Sequence, residues 1–353
     1  MSPASSRIRR LLGRLVLLVV PFALAFGAAE LVLRVGARSA SEGEEPAAVD
    51  TRWLKVEKSA ELGWIFPPDT TGIYKSSGRH TPVVTNAWGL RGPEVSTDTL
   101  TRRVLLLGDS YTFGWGMDHG AGFVRLLETA LRDSFPESLV ECINGGIPGY
   151  SIYQQIRMLD HVRKRTEIHA VVATISLAND PIDELRIRRF APDRLDEFSY
   201  ELRDPASFSA RLIASSRLVT LADQRTTHMQ FSLINTNREC RSLADESLRR
   251  LADICREADL PLVWLIVPRA QEIRPGGFWR RALNGATDRL RRHFLELADD
   301  LQVPIVDLKP ALASVQARQE AYLPGDSHWN EAGHQAVTEV LLPEVLKTWD
   351  REK

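Results

Sequence analysis

A chain of 353 residues that is 44% hydrophobic and 26% charged can bury a sizeable core in one or two domains, which excludes wholesale disorder and a multi-span membrane protein. Its 45 Lys and Arg nearly cancel 46 Asp and Glu, leaving a net charge of -1. There is no basic footprint for a nucleic acid, and none is expected as a partner.

The N-terminus departs from this evenness. Arg7, Arg9, Arg10 and Arg14 precede an uncharged apolar run over residues 15–29. Read over 11–33, interrupted only by Arg14 and Glu30, the segment meets the roughly 20 residues a bilayer needs, with both charges snorkelling from its ends. The basic flank then stays inside and the remainder lies outside. A cleaved signal peptide is the rival reading, because Ala23-Leu24-Ala25 and Gly27-Ala28-Ala29 are small-residue cleavage patterns. A buried core helix is the bland alternative, although such helices seldom carry four arginines and no acid ahead of an apolar run. Both leading readings put the rest of the chain outside the cytoplasm, membrane-anchored in the first and secreted in the second.

Export permits disulfides, which makes Cys142, Cys240 and Cys255 worth a geometric check. Leu243, Leu248, Leu251, Ile254 and Ala258 recur at helical spacing between and beyond the last two cysteines. A helix there holds these two roughly 22 Å apart, whereas a bridge needs Cα atoms within about 7 Å. Buried free thiols are therefore expected. No CxxC or Cys/His metal spacing occurs, and no metal is expected.

Residues 1–36 thus form the anchor or signal segment, and 37–49, small and acidic, read as a tether. From 50 to about 100 follows an irregular leading segment with Trp53, Trp64 and Trp88, a strand-like piece at 81–85 and a breaker-rich turn at 86–93 to which no chemistry attaches. The main domain, 101–350, opens with the apolar run 104–107. Further runs at 139–143, 170–175, 260–267 and 303–308 alternate with amphipathic stretches near 121–133, 152–165, 238–258 and 279–300. This alternation predicts an α/β fold of three layers, α/β/α, around a mostly parallel five-stranded sheet. Between about 181 and 238 it stops, and an arginine-rich helical insertion placed as a lid is expected.

Ligands of such sheets bind where strands end at their carboxyl edge. The first strand runs into Gly108-Asp109-Ser110, a hydroxyl at a strand-to-helix turn where the helix end favours negative charge. The second exits into Asn144-Gly145-Gly146-Ile147-Pro148-Gly149, whose backbone N–H groups can approach a substrate oxygen. The third exits into Ser176-Leu177-Ala178-Asn179-Asp180, and Asp326-Ser327-His328 precedes the final helix. Taken singly, Ser110 reads as an N-cap, Asn179 as a turn cap, Gly149 as relief of backbone strain, and Asp326 with His328 as a solvated pair. Together, and in this order, they supply a nucleophile, oxyanion donors and a base with its acid. The elbow Gly-x-Ser-x-Gly fails because position 112 is Thr, and phosphate-loop, dinucleotide and zincin motifs are absent, so no cofactor is expected. His334 reads as a helix residue packed near the last loop, and Asp109 and Asp180 as residues that hold loops by hydrogen bonds.

These four blocks resemble those of the SGNH/GDSL hydrolases over roughly residues 100–345, and the turn ending at Glu94 is similar to leading segments of membrane-anchored bacterial members. The resemblance implies a flavodoxin-like SGNH fold, Ser110 as nucleophile, the Ser110 and Gly149 N–H groups with the Asn179 amide as oxyanion hole, and His328 as base, here oriented by Asp326. Two departures stand out. The last block is shorter than the commoner Asp-x-x-His and is similar to that of polysaccharide O-acetyltransferases and related esterases, and Leu177 replaces the Gly that usually precedes Asn by two. The expected function is a serine esterase removing an acyl group, acetyl foremost, from a carbohydrate or small ester. An O-acyltransferase acetylating an exported polysaccharide is the first alternative, and a catalytically silent carbohydrate-binding or assembly protein the second.

Overall fold

The structure is a computed structural model that describes residues 26–30, 56–76, 79–177, 179–190, 237–274, 278–324 and 326–349. The chain divides into two compact units, 1–49 with 201–230, and 50–200 with 231–353. In the first unit only a helical stretch at 26–30 is described. The expected anchor is therefore outside the described residues except at 26–30, and the tether and most of the insertion lie wholly outside them. Among the described residues no helix is long and apolar enough to cross a membrane.

In the second unit the leading segment folds into two antiparallel hairpins, β1 (Glu57–Ser59) with β2 (Gly63–Ile65) and β3 (Thr71–Ser76) with β4 (Arg79–Val84). It is more regular than its breakers suggest. Pro82 sits inside β4, which is tolerated because that strand pairs on one side only, with β3.

The central sheet comprises β5 (Arg102–Gly108), β6 (Val140–Gly146), β7 (Ala170–Ser176), β8 (Leu262–Val267) and β9 (Ile305–Asp307), all parallel in the order β6-β5-β7-β8-β9. It is flanked by α1 (Ser110–Phe113), α2 (Phe123–Ser134), α3 (Ile152–Arg163), α4 (Asp180–Phe190), α5 (Arg238–Glu257), α6 (Ala270–Ile273), α7 (Phe278–Leu301), α8 (Lys309–Gln316) and α9 (Glu331–Trp349). Alternate residues of each strand enter opposite cores. Leu105, Leu107, Val171 and Ile266 pack with Leu159, Leu251, Phe294 and Leu297, while Val104, Leu106, Val172 and Leu265 pack with Leu127, Leu312, Val337 and Leu341. Burial on both faces explains why the strands read as continuous apolar runs, and it produces the three-layer α/β/α fold.

Two boundaries shift from the sequence pattern. β6 continues through Asn144-Gly145-Gly146, because a Cβ at Gly146 would lie 2.4 Å from the Phe113 N and only glycine lets the strand pass so close to α1. β9 shortens to three residues. Cys142, Cys240 and Cys255 are buried and free, the last two on the one helix α5. After β5 the chain adds β6 on one side and returns to β7 on the other, so the reversal of strand order lies at the carboxyl ends of β5 and β7.

Candidate active site

Ser110 follows β5 at that reversal. The N-cap of α1 is Asp109, whose carboxylate accepts the Tyr111 N–H at 3.0 Å. The serine hydroxyl is thereby released from capping, and its Oγ lies 2.7 Å from His328 Nε2. His328 comes from a tight turn closed by Asp326 N–H to Leu323 O (3.1 Å) and Leu323 N–H to His328 O (2.9 Å). Asp326 Oδ1 accepts from the backbone N–H groups of Ser327 (2.6 Å) and His328 (3.0 Å) and faces His328 Nδ1 at 2.7 Å. One carboxylate oxygen thus closes the turn and holds the imidazole, which is how a spacing of two residues suffices. A carboxylate facing Nδ1 calls for a proton there and leaves Nε2 to accept from Ser110. Arg274 braces the same turn, donating from Nη1 to Asp326 O and from Nη2 to Leu323 O, each at 3.3 Å.

Two aromatic rings from the segment that begins at Ser110 lie against the imidazole. Trp115 stacks on it with centroids 5.0 Å apart and planes 19° apart, and Tyr111 lies tilted at 4.8 Å. The Tyr111 hydroxyl, its pKa pushed up by burial, donates to Ser327 O at 2.8 Å, tying the two loops together. His334 sits on α9, where its Nδ1 accepts the Phe123 N–H at 3.2 Å. Burial first, then the charges of Arg91 and His328, push its pKa down to about 3, so it is neutral. Among the described residues no group of His, Cys, Asp and Glu could hold a metal ion.

Gly149, at φ +82°, lies in a loop held by the leading segment: Trp64 Nε1–H donates to Pro148 O at 3.1 Å and the Tyr150 hydroxyl to Trp64 O at 2.5 Å. Among the described residues the backbone N–H groups of Ser110 and Gly149 reach no protein acceptor. Asn179 Oδ1 accepts from the Ser176 hydroxyl at 2.6 Å, and its Nδ2 donates to Asp183 Oδ2 at 3.0 Å. This fixes the amide, which also hydrogen-bonds the buried Asp109 carboxylate.

Buried carboxylates surround this loop. Asp180 accepts the Ser176 N–H at 2.8 Å. Burial raises the pKa of Asp109, and burial together with the charge of Asp109 raises that of Asp180 well above the usual range. Asp183 is pushed up to about 6 and Glu184 to about 7, again chiefly by burial, with Arg186 and Arg188 opposing. Burial thus favours the neutral form of each of these acids over the charged one. Asp109 and Asp180 thus fill the loop-holding roles read for them.

Residues 106–336 match the GDSL-like lipase/acylhydrolase family. The chain belongs to this family. It is accordingly a hydrolase of the SGNH/GDSL type, an acylhydrolase, and its parallel sheet and flanking helices are the fold of that group. Among solved structures the chain is similar to an acetylxylan esterase from Geobacillus stearothermophilus, as a catalytic mutant (16% identity, 69% of this chain and 94% of the other, TM-score 0.44). It is also similar to the acetyl xylan esterase AlAXEase (15%, 69% and 99%, 0.43) and to a member of the lipolytic G-D-S-L family from Veillonella parvula (12%, 68% and 94%, 0.41). No curated protein matches the chain.

The structure brings Ser110, Asp326 and His328 into one hydrogen-bonded series and places Gly149 and Asn179 on loops leaving β6 and β7. The sequence pattern did not single out Tyr111, Trp115, Asp183 or Arg274 as site residues. For the first two the available signal was two aromatics one and five positions after the serine, around a helix of four residues.

Proposed function

We propose that the protein is a serine esterase that removes an acyl group, acetyl foremost, from a carbohydrate or a small ester through Ser110, His328 and Asp326. The observation that carries this reading is the series Ser110 Oγ, His328 Nε2, His328 Nδ1, Asp326 Oδ1, with both contacts at 2.7 Å. His328 takes the Ser110 proton as Oγ attacks the ester carbonyl, and Asp326 stabilises the resulting imidazolium and its tautomer. The face of the Trp115 ring stacked on the imidazole adds to that stabilisation. The tetrahedral oxyanion accepts from the N–H groups of Ser110 and Gly149 and from the Asn179 amide. Collapse expels the alcohol, which takes the proton from Nε2. Water, deprotonated by the same nitrogen, then releases the acid and frees Ser110.

The carbohydrate part of the reading rests on the Asp326-Ser327-His328 spacing, similar to that of polysaccharide-modifying members. The same spacing favours a second reading, an O-acyltransferase, which shares every step to the acyl-enzyme and differs in the acceptor. A binding-only role does not call for hydroxyl, imidazole and carboxylate in series. The test is to incubate the protein with an acetyl ester, with and without a saccharide. Free acetate in both cases supports the esterase, acetylated saccharide at the expense of acetate supports the transferase, and neither product contradicts both.

We place the catalytic part outside the cytoplasm, on the strength of the four arginines ahead of the apolar run at 15–29. A reporter active only outside the cytoplasm, fused after Val49, is expected to work. A working cytoplasmic reporter at that point would contradict the placement.

A further inference from the structure

The turn over residues 86–94 lies outside the matched family region, and its breakers have one shared consequence: they aim Arg91. Asn86 Oδ1 accepts the N–H groups of Trp88 (3.0 Å) and Leu90 (3.1 Å), and its Nδ2 donates to Pro93 O at 3.2 Å. Glu94 closes the loop from the far side by accepting the Ala87 N–H at 3.0 Å. Gly89 adopts φ +72°, where an added Cβ would lie 2.3 Å from Phe66 O, so no other residue fits. Leu90 is fully buried in the core, and Thr85 bridges Arg91.

The Arg91 side chain, 3% exposed, runs under the nucleophile's helix. Nη1 donates to Phe113 O at 2.9 Å and Gly114 O at 2.7 Å, and Nη2 donates to Met117 O at 2.5 Å and Pro82 O at 3.4 Å. The guanidinium also lies over the Phe113 ring, 4.9 Å from its centroid. Burial pushes its pKa down to about 10, so it stays charged at neutral pH. It is held by carbonyls rather than by a carboxylate, an expensive way to bury a cation if packing alone were needed.

A helix of four residues cannot sustain itself, and its last carbonyls lack intrahelical partners. The Arg91 fork meets the last of them, Phe113 O, together with Gly114 O just beyond, and puts a positive charge at the helix's negative end. The same segment carries Trp115, whose backbone N–H donates to Ser110 O at 3.0 Å and whose ring stacks on His328. We infer that Arg91 is a positioning residue for catalysis, fixing Ser110 at one end of α1 and, through Trp115, the imidazole at the other. It touches no reacting atom and acts through the helix. The inference rests on the proposed role of Ser110 as nucleophile.

The test compares the full chain with Arg91→Lys, which keeps the charge but not the fork, and Arg91→Met, which keeps neither. Folded fraction is measured by thermal melting, and kcat and KM on p-nitrophenyl acetate are measured well below the midpoint with the rate of Ser110 labelling by a fluorophosphonate. Both variants are expected to lose roughly 10- to 100-fold in kcat and in labelling rate, with KM within about threefold, because a small misplacement of reacting groups costs that much. Folded variants with wild-type kcat and labelling rate would overturn the inference, since a purely structural role lowers only the melting point. If neither variant folds, Asn86→Ala, which loosens the turn and leaves Arg91 in place, decides: the same fall in kcat supports positioning, and wild-type kcat overturns it. Wild-type protein unlabelled at Ser110 would instead sink the esterase reading, an outcome distinct from labelled wild type with unaffected variants.

Discussion

Asp326 Oδ1 meets three N–H groups, and only one of them belongs to the imidazole. Asp326→Asn therefore both loosens the turn and allows the wrong His328 tautomer. Turnover on an acetyl ester is expected to fall by up to roughly 10,000-fold, while Ser110→Ala with Asp326→Asn should be hardly slower than Ser110→Ala alone. Full-rate Asp326→Asn would remove it from the proposed triad. Asn179→Ala should cost roughly 100- to 1,000-fold in kcat with the fold retained, the range for one oxyanion donor, and unchanged kcat would dismiss it from the hole. Ser110, Asn179, Asp326 and His328 were legible because hydroxyl, amide, carboxylate and imidazole at strand ends suggest chemistry by residue type. Arg91, Tyr111 and Trp115 were not, because their contribution lies in what they touch. Ser110 and His328 are 218 positions apart, and no spacing rule reveals that an aromatic beside one covers the other.

At the scale of elements, α4 illustrates where periodicity runs out. The alternation of strand and helix stops near 181, yet α4 continues straight from the third block and sets Asp183 against Asn179. Asp180 and Glu184 on it are buried, which a reading of charged residues as solvent-facing would miss. Glu184 is fully buried, accepts the Tyr153 N–H of α3 at 2.7 Å, and has its pKa raised from 4.5 to about 7. A raised carboxylate pKa means the folded state holds the proton more tightly than the unfolded chain. The stability from this group is full below about 4.5 and is lost as pH rises through about 7, a difference of about 3 kcal/mol at most. Glu184→Gln keeps the acceptor for Tyr153 and removes the titration. The variant's melting temperature relative to wild type should therefore rise between pH 4.5 and pH 8, and a constant difference would show that burial does not raise this group. The strands, by contrast, were plain in the sequence, since burial on both faces leaves uninterrupted apolar runs whose alternate residues feed two cores.

Over the whole second unit, the leading segment is part of the catalytic body. Leu62, Trp64, Phe66, Val83 and Leu90 belong to the same core as β5, β7 and β8, and Trp64 holds the loop carrying Gly149. Burying five such side chains contributes on the order of 10 kcal/mol, comparable with the net stability of a whole domain. A chain beginning at Thr101, which keeps the entire family match, is expected to be insoluble or inactive. A cooperative melt and wild-type activity from it would contradict this view. Composition hid the dependence, because glycines, prolines and tryptophans without periodicity read as an irregular leading segment, whereas their contacts lie across the fold.

Whether Ser110 is an activated nucleophile is decided by treating the full chain with a fluorophosphonate and mapping the adduct by mass spectrometry. A single adduct on Ser110 is expected, absent in Ser110→Ala and strongly slowed in His328→Ala. An adduct on another residue, or none under conditions where an acetyl ester is turned over, would contradict it.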